Sequence, residues 1–408
     1  MKTIKLATPR GERLIGPGQP TFVVAEMSGN HGGDLATAVA IIEAVAKAGA
    51  DAIKLQTYTP DTMTIRSDQE WFRVGGNTPE TWQGKTLYEL YERAATPWDW
   101  HAKLQAIAYK LGLVFFSTPF DNTAVDFLET LRVPCYKIAS YEATDLPLLE
   151  RVGATKKPVI MSVGFANEAE IRESLRTLRS GGASEIALLH CATSYTAASV
   201  SGTEHLANLA DLAERFGVVV GFSDNSGGIE VPLQAAILGA SIIEKHIVLD
   251  HQATGPDTKF SLDPNELARL VDSIRGAESR RGFVQYGPAN EEEEYTARFR
   301  RSLFVVASVR RGDMFTSENV RSIRPGFGLP PKHLPVIRGS KASCDISAGT
   351  PLQWEMVAEA DFVQAVDHLQ RRLEQEPTRA ADAVVWLQGD EFSRGERVLE
   401  IIREGWVS

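Results

Sequence analysis

The chain has 408 residues, a formal net charge of −10, and 43% hydrophobic and 24% charged side chains. This composition supports a large globular core and roughly two to three domains, and its acidic balance argues against general nucleic-acid binding. Cys135, Cys191 and Cys344 match no zinc spacing and fit a reducing compartment; the N-terminus lacks a signal-peptide core, and no apolar run nears the roughly 20 residues that cross a bilayer. The expectation is a cytoplasmic protein with no membrane segment.

Residues 1–20 read as a hairpin that closes the bottom of the fold. Short apolar runs then recur at 22–26 (FVVAE), 52–56 (AIKLQ), 114–117 (VFFS), 136–139 (YKIA), 158–162 (PVIMS), 186–190 (IALLH), 218–222 (VVVGF) and 241–246 (SIIEKH). Runs this apolar suit strands buried on both faces of a parallel sheet. Amphipathic stretches lie between them. Residues 35–49 end at a glycine, residues 167–182 open on an Asn cap and close on Gly-Gly, and residues 203–217 open on Thr203. Eight strand–helix units within residues 21–285 predict an α/β fold, a (β/α)8 TIM barrel; an open doubly wound sheet is the alternative. The long connection from Tyr58 to about Thr96 predicts a lid or substrate wall.

Residues 286–300 form a charged connector. Residues 301–358 alternate short strands with a tiny helix at 317–320, which predicts a second, smaller domain. Residues 359–408 read as a helical C-terminal extension to which no role is assigned.

Barrel active sites gather at the C-terminal ends of the strands. Here those ends carry Glu26, Lys54 and Gln56, Ser117 and Thr118, Lys137 and Ser140, Ser162, His190 and Cys191, Ser223 to Asn225, and Glu244 to His246. That many polar tips predict convergence on one mouth. Alternation along the last strand sends Lys245 toward the helix layer or a carboxylate if His246 faces the mouth; the side served by Glu244 stays open.

Each cluster has a functional and a structural reading. Glu26 is a candidate acid/base, and Asn30 and His31 sit in a glycine-rich turn that admits a ligand, or merely a turn capped by Asp34. Lys54, Lys137 and Ser140 suit an anion, or the lysines pair internally with Glu26 and Glu142. His246 and Asn225 are compatible with a shared divalent metal such as Mn²⁺, Zn²⁺ or Fe²⁺, or with ordinary hydrogen bonding. Cys191 is a nucleophile or inert packing. Asp257 lies in a loop whose plain reading is the lead into a helix capped by Asp263, with Pro264 at its first position.

The stretches AEMSGNHGG, AIKLQTYTPDT, STPFD, YKIAS, GFSDNS, EKH and GPD…FSLDP together resemble the sialic acid synthase family. These are phosphoenolpyruvate-dependent enzymes with a barrel and an antifreeze-like (SAF, β-clip) domain. GKTLYELYERAATPWDWH and FTSENVRSIRPGFGLPPKHL most resemble its pseudaminic acid synthase branch. The resemblance implies condensation of phosphoenolpyruvate with a 2,4-diacetamido-2,4,6-trideoxyhexose to a nine-carbon 2-keto sugar acid and phosphate. Alternatives are a synthase for N-acetylneuraminic or legionaminic acid, a metal-dependent aldolase or isomerase, or a catalytically weakened carbohydrate-binding homologue.

By motif match, Lys54, Lys137, Ser140, Ser162 and Ser223 would hold phosphoenolpyruvate. Glu26, Glu142 and Lys137 would serve the chemistry. Asn30, His31, Gln56, Tyr195, Asp257 and Arg324 would face the sugar. His246 and Asn225 would hold the metal, Mn²⁺ with Mg²⁺ or Co²⁺ as substitutes. A homodimer is implied, with the antifreeze-like domain over the partner's barrel. Asn225 stands where the family usually has a histidine, and Thr196 where it usually has a proline.

Overall fold

The computed structural model describes residues 3–75, 83–192, 204–253, 255 and 257–358. It divides into two compact units, Met1–Gly282 and Phe283–Ser408.

In the first unit, β1 (Ile4–Thr8) and β2 (Gly11–Ile15) pair antiparallel. The strands β3 (Phe22–Glu26), β4 (Ala52–Thr57), β5 (Val114–Pro119), β6 (Tyr136–Ile138), β7 (Val159–Ser162), β8 (Ile186–Ala192), β9 (Val219–Asp224) and β10 (Ile242–His246) pair in chain order. The parallel pairing of β10 with β3 closes the barrel, so the open-sheet alternative does not hold.

Alternation along these strands sorts the apolar residues into two concentric layers. Phe22, Val24, Ala52, Phe116, Ile160, Leu189 and Ile242 fill the barrel, and Ile4, Leu6 and Ile15 of the hairpin join them. Val23, Ile53, Phe115, Met161, Leu188 and Ile243 point outward into the larger layer beneath the helices. The lower interior is therefore packed with hydrocarbon, and only the upper interior has room for polar groups.

The helices start where their caps dictate. Asp34 accepts from the backbone N–H of Ala36 and Thr37 to open Leu35–Lys47. Asn167 and Asp263 form capping boxes with Glu170 and Glu266, opening Glu168–Gly181 and Pro264–Arg281. The eighth-strand loop thus does lead into a helix capped by Asp263. Helix Asn208–Phe216 starts later than its periodicity predicts, without a side-chain cap; Thr203 lies outside the described residues. The connection after β4 contains the short helix Pro60–Met63 and the helix Leu87–Ala94, which opens on a Thr86–Glu89 capping box.

In the second unit, Asn290 caps the helix Glu291–Ala297, none of whose residues is buried. The charged connector is thus partly a solvated helix. β11 (Ser302–Val305) and β12 (Val320–Ile323) pair antiparallel over a core that includes Leu303, Val309, Phe315, Ile337 and Leu352. Residues 317–319 form a turn into β12 and not a helix. The few residues between Thr316 and the strand are too short a run for a helix that must bury an apolar face.

Gly221 of β9 marks how tightly the barrel interior is filled. A Cβ there would come within 2.6 Å of the Ile242 carbonyl oxygen and 2.5 Å of Leu189 Cδ2. Because one of those atoms is backbone of a paired strand, it cannot swing away. Gly221→Ala is expected to destabilise the barrel by about 1–3 kcal/mol, read as a lower denaturant midpoint; an unchanged midpoint would show that the interior has slack.

Candidate active site

The upper interior is built from every second residue of the strand ends. Glu26, Lys54, Thr118, Lys137, Ser162, Cys191, Ser223 and Glu244 sit on the same face of their strands as the interior apolar residues below them. The same alternation corrects the expectation that all polar tips converge. Ser117 bonds Thr57, which bonds His101, on the helix side, and His190 Nε2 meets the Glu204 carbonyl. Lys245 and Asp224 are also turned outward, where Lys245 Nζ donates to Asp224 Oδ2 at 2.6 Å with both side chains fully buried. Lys245 also donates to the Ser226 carbonyl, and Asp224 Oδ1 accepts from the Ser226 N–H and hydroxyl. This buried pair holds the turn that carries Asn225.

Four ionisable groups form the centre. Lys54 Nζ is paired with Glu26, lies 3.7 Å from Glu244 Oε1, and donates to Thr118 Oγ1 at 3.1 Å. Lys137 Nζ also lies 3.7 Å from Glu244 Oε1 and donates to Ser162 Oγ at 2.7 Å. Ser223 Oγ donates to the same Glu244 oxygen at 3.2 Å. Glu244, whose direction periodicity alone leaves open, is therefore the carboxylate shared by both lysines. Among the described residues Glu142 forms no ion pair with Lys137, although the ammonium's charge reaches it.

Burial decides how these groups hold their protons. It pushes the Glu26 carboxyl above its ordinary range, Lys54 pulls it back, and Glu244 adds to the rise. Burial alone would depress Lys54, yet Glu244 and Glu26 together hold its ammonium above the usual lysine range. Lys137 is depressed by burial, with Glu244 opposing. Glu142, beyond β6, is pushed up to about 7, chiefly by burial and against the pull of Lys137. Its Oε2 has no hydrogen-bond partner among the described residues. It is a carboxyl close to half-ionised at neutral pH.

A second set of contacts ties the loop after β3 to the loop after β10. Asn30 Nδ2 donates to the Ile247 carbonyl at 2.8 Å and to Ser261 Oγ at 2.9 Å, and Ser261 donates to the Asp257 carbonyl at 2.7 Å. Ser28 donates to Asp257 Oδ2. Burial raises the Asp257 carboxyl to about 6, with Ser28 opposing. His246 is largely buried, its Nδ1 has no hydrogen-bond partner among the described residues, and that atom lies 3.8 Å from Asp257 Oδ2. Burial and then the charges of Lys54, Lys245 and Lys137 hold His246 well below the usual imidazole range, so the ring is neutral.

Ser140 Oγ accepts the Gly164 N–H at 3.1 Å, joining two loops at the mouth. Gln56 is half-buried on the same face as Lys54. His31 is buried, with Nδ1 accepting the Gly33 N–H at 3.0 Å and Nε2 3.1 Å from Thr96 Oγ1, so its ring braces the turn. Asn225 is buried, and its Nδ2 donates to Cys191 Sγ at 3.5 Å. Burial raises the Cys191 thiol, which favours the packing reading over a nucleophile. Arg324 is exposed just past the end of β12, in the second unit. Tyr195 and Thr196 lie outside the described residues. Three other possible metal-ligating groups, His251, Asp263 and Glu266, have donor atoms within 4.8 Å of one another, but the two carboxylates there already serve a helix capping box.

Residues 41–286 match the NeuB family, and residues 300–358 match the SAF domain. This chain belongs to the NeuB family. It is 41% identical over 334 residues to pseudaminic acid synthase of Campylobacter jejuni, covering 81% of this chain and 95% of that protein. It is 40% identical to pseudaminic acid synthase of Helicobacter pylori, covering 82% and 97%. Among solved structures, N-acetylneuraminic acid synthetase of Leptospira borgpetersenii aligns with a TM-score of 0.61 at 31% identity, covering 70% of this chain and 94% of that one. The family likeness therefore spans both the barrel and the smaller domain of this NeuB-family chain.

Glu142 supplies the pH test of this site. Its carboxyl holds a proton more tightly when folded, so its contribution to stability is full below about 4.5 and is lost as pH rises toward about 7. Carbon-detected NMR of the folded protein is expected to show one glutamate carboxyl titrating near 7, absent in Glu142→Gln. A Glu142 midpoint in the ordinary range would remove it as a neutral-pH proton carrier.

Proposed function

We propose that this chain condenses phosphoenolpyruvate with a 2,4-diacetamido-2,4,6-trideoxyhexose to give pseudaminic acid and phosphate. The observation that carries the chemistry is the pair of buried lysines, Lys54 and Lys137, held on one shared carboxylate at the barrel mouth. The choice of sugar rests on the roughly two-fifths identity to pseudaminic acid synthases over most of the chain.

Without substrate, two ammonium groups face two carboxylates. An incoming trianionic acid must compete with Glu26 and Glu244 for the lysines. Ser140 and Ser162 each accept a hydrogen bond here, so each keeps its hydroxyl proton to donate to a phosphate oxygen. Ser223 now donates to Glu244 and has to turn to the ligand. When Lys54 swings toward the anion, Glu26 loses its compensating charge in a buried place and takes up a proton.

The bond changes follow from that protonation. C3 of phosphoenolpyruvate attacks the aldehyde carbon of the open-chain sugar, and the aldehyde oxygen takes the proton from Glu26. Water adds to the resulting cationic C2, and ionised Glu142 accepts the proton it sheds. The bond from C2 to the bridging oxygen then breaks, the C2 hydroxyl passes its proton to that departing oxygen, C2 becomes a ketone, and phosphate leaves with its bridging oxygen. Lys54 and Lys137 stabilise the charge on phosphate as it departs.

His246, with the side-chain oxygen of Asn225, is the donor set for a divalent cation. Its buried Nδ1, without a hydrogen-bond partner among the described residues and beside a carboxylate, fits a metal-site histidine, and the oxygen-rich remainder suits Mn²⁺, Mg²⁺ or Co²⁺. When bound, the cation would supply a Lewis acid for the aldehyde oxygen. Gln56, Asn30 and Asp257 then line the sugar side, with His31 holding the turn and Tyr195 assigned to the same side by its motif. Arg324 is assigned to the sugar bound in a partner subunit's barrel, which makes a homodimer the working unit. The barrel, residues 21–285, carries the chemistry and the SAF domain, residues 301–358, carries this one contact. A biosynthetic enzyme of this kind works in the cytoplasm; among the described residues no helix is long and apolar enough to cross a membrane.

Two measurements test this reading. Phosphoenolpyruvate labelled with ¹⁸O at the bridge should release labelled phosphate only when the diacetamido sugar is present, and N-acetylmannosamine should be a poor substitute. Calorimetry of phosphoenolpyruvate binding in buffers of different ionisation enthalpy should show proton uptake, lost in Glu26→Gln. Unlabelled phosphate, or no turnover with any amino sugar aldehyde, contradicts the reaction; binding without proton uptake contradicts the role of Glu26.

A further inference from the structure

Among the described residues, the buried His246 Nδ1 has no hydrogen-bond partner, and leaving such an orphan is costly. The acceptor that faces it is Asp257 Oδ2, 3.8 Å away. That gap exceeds a hydrogen bond by roughly 1 Å, within reach of a small side-chain rotation. Asp257 is itself held in place. Ser28 donates to the same Oδ2, and the Asp257 carbonyl accepts the Ser261 hydroxyl, which in turn accepts Asn30 Nδ2. The edge-on contact with Phe260, ring centroids 5.0 Å apart, further restricts the imidazole.

A metal-ligating imidazole is neutral and has one N–H and one lone pair, and the partner of the N–H decides which nitrogen is left for the ligand. We propose that Asp257 is a positioning residue for His246, accepting its Nδ1–H and so fixing Nε2 as the nitrogen that offers a lone pair. This rests on the reading of His246 as a cation ligand. It gives Asp257 a task separate from any contact with the sugar. It also explains how one histidine can serve where Asn225 supplies no second imidazole: the single ring is held in one tautomer and one orientation in advance. Asn30, Ser261 and Ser28 then act as the frame that keeps the carboxylate in place.

The full-length protein labelled with ¹⁵N-histidine, free of metal, gives the direct test. Two-bond ¹H–¹⁵N correlation spectra, with the His246 signals identified by their loss in His246→Asn, are expected to show the proton on Nδ1. Protonation on Nε2 in the unsubstituted protein overturns the proposal, and this result needs no variant of Asp257 to fold. Mn²⁺ titration followed by electron paramagnetic resonance, without sugar, provides the second readout. Asp257→Ala is expected to shift the tautomer and weaken Mn²⁺ by about 10- to 100-fold, with Ser28→Ala giving a smaller loss in the same direction. Unchanged Mn²⁺ affinity in a folded Asp257→Ala protein also overturns it. If the unsubstituted protein binds Mn²⁺ no better than His246→Asn, the cation reading of the site fails instead, while the tautomer still decides the Asp257–His246 contact.

Discussion

Lys54 and Lys137 are buried ammonium groups with Glu244 lying between them. Removing an ion from water costs several kcal/mol even after relaxation, and only close opposite charge returns it. Glu26 and Glu244 supply that charge, and Thr118, Ser162 and Ser223 absorb remaining hydrogen-bonding capacity. An array of this kind is stable when empty, yet its carboxylates hold the place of an anion. A ligand with its own carboxylate and phosphate can give each lysine a separate anionic group, whereas Glu244 offers one oxygen to both. The same balance that lets the site fold is what it gives up on binding.

The barrel is what puts those four groups together. Hydrocarbon fills its interior from the hairpin residues Ile4 and Leu6 up to Leu189, leaving the next layer to polar side chains. The second buried ion pair, Lys245 with Asp224, lies on the outer face of β9 and β10 and fixes the turn beyond β9. On the other side of β10, Asn30 ties the first loop to the last, closing the seam between β3 and β10 from above. Both devices act on loops that carry proposed ligand groups, Asn225 in one case and Asp257 in the other.

Much of this is legible in the sequence because strands buried on both faces are written as unbroken apolar runs. FVVAE coincides with β3 from end to end, and Asp34, Asn167 and Asp263 mark helix starts by cap chemistry alone. Lys54 and Lys137 stand out because charge inside such a run needs a partner. Glu26 is legible as a partner of Lys54, but the carboxylate shared by both lysines is not. Glu244 becomes decidable only when the register places it beside Ser223 of β9 and on the interior face. Ser117, Asp224 and His190 show the converse error: each lies near a strand's end, but parity turns it to the helix side, and parity cannot be counted until the strand's phase is known. His31 looks open to ligand in a glycine-rich turn, whereas the turn uses both of its ring nitrogens. The 317–320 segment reads as a tiny helix but is too short to nucleate one.

If the lysine pair is the anion site, one ligand must displace the internal carboxylates and take both ammonium groups. A crystal structure of the protein soaked with phosphoenolpyruvate tests this most directly. The predicted result is one phosphoenolpyruvate molecule touching both Lys54 and Lys137, with Glu26 no longer paired to Lys54. Phosphoenolpyruvate bound elsewhere, or bound while Lys54 and Lys137 keep their contacts to Glu26 and Glu244, would contradict it.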